Sequence, residues 1–468
     1  MMGFQVVLLW SDLLIWLLVA VGIGVGVFIA RNPPLLAAWR RVGASRVGMA
    51  AATVLLVFVV VGLLDSLHYR PQLDGKPGQK ASYAVEVLSL LDAIAAPLRS
   101  RNEKTYSEPF ATRLYAKETV DVPGRGQVRE YPRLKFGGAH LGEREGEVAA
   151  DVGFTAFRAA VIGVLAWLAV VAAAIGAVAW QGGVSHGEAG RRIWAGETRF
   201  AWNAVLATLA AVFLVVVPLL WLAGGYHVFG TDKVGQDVLY QVLKSVRTGL
   251  IIGLVTTLVT LPLAVLLGIV AGYFRGWVDD LIQYLYTVLN SIPGVLLIAA
   301  AVLMMQVVID THPQWFSTAA ERADLRLLAL CFILGITSWT GLCRLLRGET
   351  LKLRELEYIQ AAQAFGVSSW RIIVRHILPN LMHIVIIALV MDFSGLVLAE
   401  AVLSYVGIGV DPTMVSFGTM INNARMELGR EPAVWWSLAA AFAAMFILVL
   451  AANLFADAVR DAFDPRAA

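Results

Sequence analysis

Among the residues that could do chemistry, two carboxylates stand out because they lie in apolar surroundings. Asp392 and Glu400 fall within a run of mostly apolar residues over 384–408. Ionisable groups at such positions are costly and face a cavity, a partner or the interface. Asp392 lies about eight residues, or roughly 12 Å, into that run, which is near the middle of a bilayer. Asp12 sits close to the chain start, and Ser11-Asp12 reads as an N-cap or interface pair. The other chemistries are excluded. The seven histidines and the acidic residues show neither HExxH nor paired Cys/His spacing, so no metal site is expected. His376 and His383 could share a helical face, but Pro379 between them interrupts the helix. Cys331 and Cys343 fall in one predicted helix, roughly 18 Å apart and beyond disulfide reach. No GxxxxGK[ST] phosphate loop occurs, so any ATP that drives this protein is bound by another chain. No nucleophile lies beside a base, and no catalytic constellation appears.

The elements that must position these residues are membrane helices. With 59% hydrophobic and 15% charged residues and a mean hydropathy of +0.72, the chain is no ordinary soluble globule. A hydrocarbon core of ~30 Å needs about twenty apolar residues. Runs of that kind cover 8–30, 47–65, 153–180, 202–224, 246–272, 281–309, 327–344, 384–408 and 435–457. The chain therefore reads as an all-α polytopic membrane protein with about nine transmembrane helices. The first run lacks a basic n-region, so it is expected to be a span rather than a cleaved signal peptide. Pro262 and Pro293 lie inside runs, where they bend helices and free carbonyls, which suits a pathway or packing alike. Basic residues of short loops set the orientation. Arg31, Arg40, Arg41 and Arg46 place the first loop in the cytoplasm, with the amino terminus outside. Arg191, Arg192 and Arg199, the loop 345–383, and Arg460 with Arg466 then fall inside, so the carboxyl terminus is cytoplasmic. A net charge of +3 gives no hint of nucleic acid.

Residues 66–152 mix both charge signs and carry six prolines. A helix is expected around 82–98 and a hairpin over 120–134 with its turn at 123–126. Such a segment reads as a small folded α+β insert on the outer side. After the fourth run, Thr231 or Asp232 can cap a helix whose apolar Val234, Val238, Leu239, Val242 and Leu243 oppose Lys233, Gln236 and Gln241. This pattern predicts an amphipathic helix on the outer membrane surface. In the basic interruption, Glu357–Phe365 reads as a short helix closed by Gly366. Ser368 is expected to start a second helix, with Pro379 opening the next segment. Ala361 and Ala362 leave one face of this plug small enough for close approach by another protein.

The spacing of Gln360-Ala361-Ala362, Gly366 and Leu378-Pro379 resembles the EAA loop of ABC-importer permeases, although Gln360 and His376 stand where that family often has Glu and Ile. Gly230-Thr231-Asp232, Gly235 and Asp237 resemble the GTD-x-x-GRD signature of the C-type permeases of oligopeptide, dipeptide and nickel importers. Gln236 replaces the signature's Arg, and Val228 its Pro. Blocks at 271–279, 291–293, 398–409 and 453–466 also resemble that family, so the likeness covers 226–466, with 202–224 as its first span.

The resemblance implies a type I ABC importer permease fold over 201–466. Preceding it are extra helices at 1–65, the insert at 66–152, and an extra helix and cytoplasmic loop at 153–200. It implies no enzyme activity and no cofactor on this chain, with ATP and Mg on partner subunits. The implied partners are two cytoplasmic ABC ATPases, a second homologous permease and an extracytoplasmic solute-binding protein, in a bacterial inner membrane. Glu357, Gln360, Ala361, Ala362, Gly366, Arg371, Leu378 and Pro379 would form the ATPase-coupling loop. Gly230, Thr231, Asp232, Gly235 and Asp237 would form the external surface helix, and Pro293, Asp392 and Glu400 are candidates for the translocation path. Asp392 could attract a peptide ammonium there or make a local ion pair or hydrogen bond to a neighbouring helix, and the local role is favoured. Glu400 reads as structural. Peptides are the expected cargo; a nickel chelate or another small solute in the same role, or a proton-coupled secondary transporter with an external domain, are the alternatives. A membrane sensor would need a cytoplasmic output domain, and no cytoplasmic loop is large enough.

Overall fold

The computed structural model describes residues 4–73, 83–122, 126–142, 144–316 and 318–463. The residues expected at the hairpin turn (123–125), at the start of the first insert helix (82) and at the carboxyl end of the last block (464–466) lie outside the described residues. In chain order the elements are β1 Phe4–Val7, α1 Trp10–Arg31, α2 Pro33–Ala44, α3 Arg46–Asp65, β2 His68–Pro71, β3 Leu88–Ser89, α4 Leu90–Ile94, α5 Ala96–Ser100, β4 Glu118–Val122 and β5 Gly126–Glu130. There follow α6 Val148–Gly182, α7 His186–Ala195, α8 Trp202–Leu222, α9 Val238–Phe274, α10 Gly276–Ser291, α11 Gly294–Thr311, α12 Ala319–Ser338, α13 Thr340–Arg354, α14 Glu357–Ala364, α15 Ser369–Ile372, a π turn Ile373–Ile377, α16 Leu378–Val406, α17 Phe417–Arg425 and α18 Trp436–Phe463. Among the described residues nine helical segments are long and apolar enough to cross a membrane. The chain is an all-α polytopic membrane protein with few strands.

Three expectations about these elements are corrected. The run 281–309 is not one helix: α10 ends at Ser291 and α11 begins at Gly294, with Pro293 in the N-cap position. Proline has no amide hydrogen to donate into a helix, so the chain breaks there. At 16 residues α10 is about 24 Å long, short of the ~30 Å core. Pro379, in contrast, does not interrupt its helix. The π turn Ile373–Ile377 precedes it, and Ser369–Val406 forms one candidate span. A π turn shifts the hydrogen-bond ladder locally, which lets the missing proline donor be absorbed. The helix expected at 82–98 is two short ones. Ser89 ends β3 and forms a capping box with Asp92, and Pro97 lies in the first turn of α5.

The chain divides into two compact units. The first is Met1–Val7, Ala30–Thr248 and Val415–Phe455. Residues 66–152 belong to it rather than standing apart. β1 pairs antiparallel with β2, and β2 with β3, so the chain start is tied to the insert. β4 and β5 make the expected hairpin in register Glu118↔Glu130 to Val122↔Gly126. α6 packs along α8, where a Cβ on Gly163 would come within 2.9 Å of the Phe213 carbonyl. Buried Asp65 and Asp92 share Lys244 at 2.5 and 3.2 Å, linking α3, α4 and α9.

The second unit is Leu8–Ile29, Gly249–Met414 and Ala456–Ala468. On α9, Gly268 and Gly272 lie four apart against α13. Added Cβ atoms there would stand 2.8 Å from the Cys343 and Arg347 carbonyls. This is the small-xxx-small packing by which membrane helices approach closely. Gly335 of α12 meets α9 in the same way, 2.6 Å from Val259. Ser11 donates its amide to Asp324 at 3.1 Å, fastening the start of α1 to α12. Neither Ser11 nor Asp12 is the N-cap: both lie inside the first turn of α1, and the Asp12 carboxylate accepts the amide of Leu9, the residue before the helix, at 3.3 Å.

Candidate functional site: coupling segment, signature segment and cavity

The 357–379 segment is anchored from within. Ile359 on α14, Ile372 on α15 and Ile377 in the π turn are fully buried in a core with Leu346 of α13 and Ile269 of α9. α14 ends in a Schellman motif: the Val367 amide donates to the Ala362 carbonyl and the Gly366 amide to that of Gln363, each at 3.0 Å. Gly366 has φ +74°, a conformation a side chain would strain. Ser368 is extended at the N-cap, and its carbonyl accepts the Ile372 amide at 3.1 Å. Gln360 donates to the Glu355 carbonyl at 3.2 Å, and Glu355 pairs with Arg275. Glu357 lies in the first turn of α14, where a negative charge suits the helix dipole.

Ala361 is exposed, but Ala362 packs against the core, so the expected small outward face is half as wide. Arg371 and Pro379 are exposed, while Leu378 lies against the core. Outward-facing aromatics are what sequence reasoning missed: Phe365 is 87% and Trp370 68% exposed, on either side of the Gly366 joint. Two large aromatics flanking a glycine in a polar loop were the available signal. Among the described residues no cluster of His, Cys, Asp and Glu could hold a metal, and none includes His376 or His383.

The signature segment is not a surface helix. Residues 231–237 form a tight loop closed by a Thr231↔Asp237 bridge, and Val238 already begins the long span α9. Asp232 accepts the Val234 and Gln236 amides, both at 2.9 Å. Asp237 accepts the Leu239 amide at 2.8 Å and so caps α9. The insert packs closely against this loop. Gly230 and Gly235 have φ +69° and +76°. Cβ atoms on them would lie 2.4 Å from the Ser107 carbonyl and 1.9 Å from that of Glu103. The Thr231 hydroxyl donates to the Thr105 carbonyl at 2.9 Å and accepts the Ser107 amide at 2.7 Å. Trp436 donates its indole N–H to the Thr231 carbonyl at 2.9 Å.

Beneath the loop His227 lies between two buried carboxylates, Nδ1 at 2.7 Å from Asp237 and Nε2 at 3.3 Å from Glu103. Glu103 also accepts the Lys135, Phe136 and Gly137 amides. Burial alone would lower the His227 pKa, but the Asp237 and Glu103 carboxylates outweigh it and hold it at about 9. Burial would raise Glu103, yet His227 and the three amides bring it to about 2. His227 and Glu103 are therefore both charged at neutral pH, and the cluster joins the insert to the signature.

The third feature is a cavity of about 750 Å³ in the second unit. One face of α16 lines it, from Ile384 to Ala399, opposite Ser338, Gly341 and Leu345, and Asp392 is on its wall. The expected local partner of Asp392 is not there: among the described residues it has no hydrogen bond or ion pair. Pro293 and Glu400 are not on this wall. Glu400 is buried and accepts the Ser404 hydroxyl at 2.5 Å, a structural arrangement.

The fold is that of a polytopic helical membrane protein with a jointed plug and a cavity along α16. Residues 264–468 match the family model of the binding-protein-dependent transport system inner membrane component. The chain is 31% identical over 287 residues to the oligopeptide transport system permease protein OppC of Mycobacterium tuberculosis (strain ATCC 25618 / H37Rv), covering 57% of this chain and 92% of that one. It is 30% identical to OppC of Escherichia coli (strain K12), covering 59% and 92%. To the glutathione transport system permease protein GsiD of Pectobacterium atrosepticum it is 33% identical, covering 51% and 73%. A chain of the MetNI methionine ABC transporter has a TM-score of 0.35 at 17% identity, covering 48% of this chain and 96% of that one. The protein belongs to the binding-protein-dependent permease family and is a multi-pass inner-membrane transport component. Residues 1–263 lie outside the family-model match.

Proposed function

We propose that this chain is one half of the membrane pathway of a peptide importer. A second, homologous permease completes the pathway, and two cytoplasmic ATPases holding ATP and Mg²⁺ drive it. An extracytoplasmic solute-binding protein delivers the cargo. The peptide assignment rests on likeness to permeases named for oligopeptides and glutathione. The observation that carries the coupling role is the 357–379 plug, with isoleucines anchored inside and Phe365 and Trp370 turned out. ATP-driven closure of the ATPases would move this plug, and the continuous Ser369–Val406 helix would pass the motion to the cavity wall. The arginine-rich loops support a cytoplasmic carboxyl terminus and an external amino terminus.

Changing Phe365 and Trp370 together to Asp tests this reading. The chain should still reach the membrane, while copurification of the ATPases and uptake of labelled peptide both fall at least tenfold. Undiminished ATPase recovery would remove the plug from the coupling role. Uptake of a nickel chelate but of no peptide would replace the cargo class and leave the architecture standing.

A further inference from the structure

Asp392 and Glu400, eight residues apart on α16, have opposite environments. Glu400 is closed off and satisfied by Ser404. Asp392 is half-buried and faces the cavity of about 750 Å³. Ala388, Met391, Gly395 and Ala399, at helical spacing around it, line the same wall. A Cβ added to Gly395, or to Gly341 opposite, would meet nothing within 4 Å. The space around the carboxylate is thus open, and small residues keep it so. The other polar residues on the wall are Ser338, Thr260 and Arg460. Thr260 spends its hydroxyl on the Thr256 and Gly335 carbonyls, at 3.0 and 3.3 Å. Arg460 also lines the cavity but makes no ion pair with Asp392.

A carboxylate held in an apolar-walled space at membrane depth is costly unless a cation or donors compensate it. None comes from the described residues of this chain, and the volume is that of a ligand pocket, usually about 300–1,000 Å³. We propose that Asp392 receives the primary ammonium of the cargo, the free amino terminus of a peptide, within the membrane. A compact ammonium with three donors fits a lone carboxylate. The pairing would offset part of the cost of taking a charged terminus across the bilayer. This inference rests on the peptide-importer reading above.

The test is a two-by-two cycle on the purified complex of both permeases and the ATPases, without the solute-binding protein. Calorimetry measures a dipeptide with a free amino terminus and its N-acetyl derivative against the unaltered complex and Asp392→Asn. Acetylation and Asp392→Asn should each weaken binding about tenfold, and acetylation should cost nothing further in Asp392→Asn. Asp392→Glu, which keeps the charge, should retain the discrimination. If Asp392→Asn does not assemble, Asp392→Ser takes its place in the cycle. An equal penalty for acetylation with and without the carboxylate overturns the inference, as does an unaltered complex that binds neither peptide. Uptake by the unaltered complex with its binding protein is scored separately. Import of peptide without the coupling defeats only the Asp392 role, whereas import of no peptide at all defeats the peptide reading as well.

Discussion

Gly235 and Asp237 are two residues apart and serve one junction from opposite sides. Gly235 lets the Glu103 carbonyl approach to a distance no side chain would permit. Asp237 caps α9 and pairs with His227, which reaches Glu103 in turn. The linkage of this cluster to pH has a definite sign. His227 keeps its proton to about 9 against an ordinary 6.5, so its contribution is complete below about 6.5 and is lost as pH rises through 9. Glu103, at about 2 against 4.5, contributes fully above 4.5 and loses its contribution as pH falls toward 2. His227→Gln leaves two buried carboxylates facing each other and should destabilise the chain by about 3 kcal/mol near neutral pH. Thermal melts across the alkaline range should show the gap to the unaltered protein closing above about pH 9. A gap that stays constant with pH would mean that His227 acts by packing rather than charge.

At the scale of elements, the plug works through the division of its faces. Ile359, Ile372 and Ile377 bind it to α13 and α9, and Phe365 and Trp370 are left exposed. The two alanines that looked equivalent are not. Ala362 lies against the core and Ala361 is exposed. Ala362→Trp must therefore overpack the core, at a cost of about 1–3 kcal/mol, and should lower membrane abundance. Ala361→Trp should leave abundance unchanged and reduce ATPase copurification severalfold. Immunoblots of membranes beside affinity recovery of the ATPases separate the two effects. Equal behaviour of the two variants would contradict this division of faces.

For the whole molecule, the insert and the basic loops make a joint statement about sidedness. Single cysteines replacing Lys104 and Arg129, both exposed, should react with a membrane-impermeant thiol reagent in intact cells. Cysteines replacing Arg41 and Arg199 should react only after the cells are broken. The background lacks Cys331 and Cys343, which are buried and free. The reverse pattern would invert the orientation and put the 357–379 plug on the wrong side for an ATPase. Deleting the insert is a harsher change than its surface placement in the sequence suggests, because Glu103, Thr105 and Ser107 all engage the 227–237 loop.

Local physics made some of this legible in the chain alone. Apolar runs long enough for a bilayer announce themselves by composition, and a Gly between two short amphipathic stretches announces a joint, so eight of the nine expected spans and the α14–Gly366–α15 plug could be read directly, while the run 281–309 proved to be broken at Pro293. The β4–β5 hairpin followed from alternation between strand residues. What the chain alone left open depends on neighbours far away in sequence. Val234, Val238, Leu239, Val242 and Leu243 have helical spacing, but the residues before Val238 form a loop that lies against the insert backbone at Glu103 and Ser107. The π turn Ile373–Ile377, through which the helix runs on past Pro379, has no periodic signature in the letters. Asp392 and Glu400 are alike as letters on one apolar helix. Only packing decided that Ser404 closes over one while a cavity opens before the other, since a carboxylate's partner is a matter of which helices meet it.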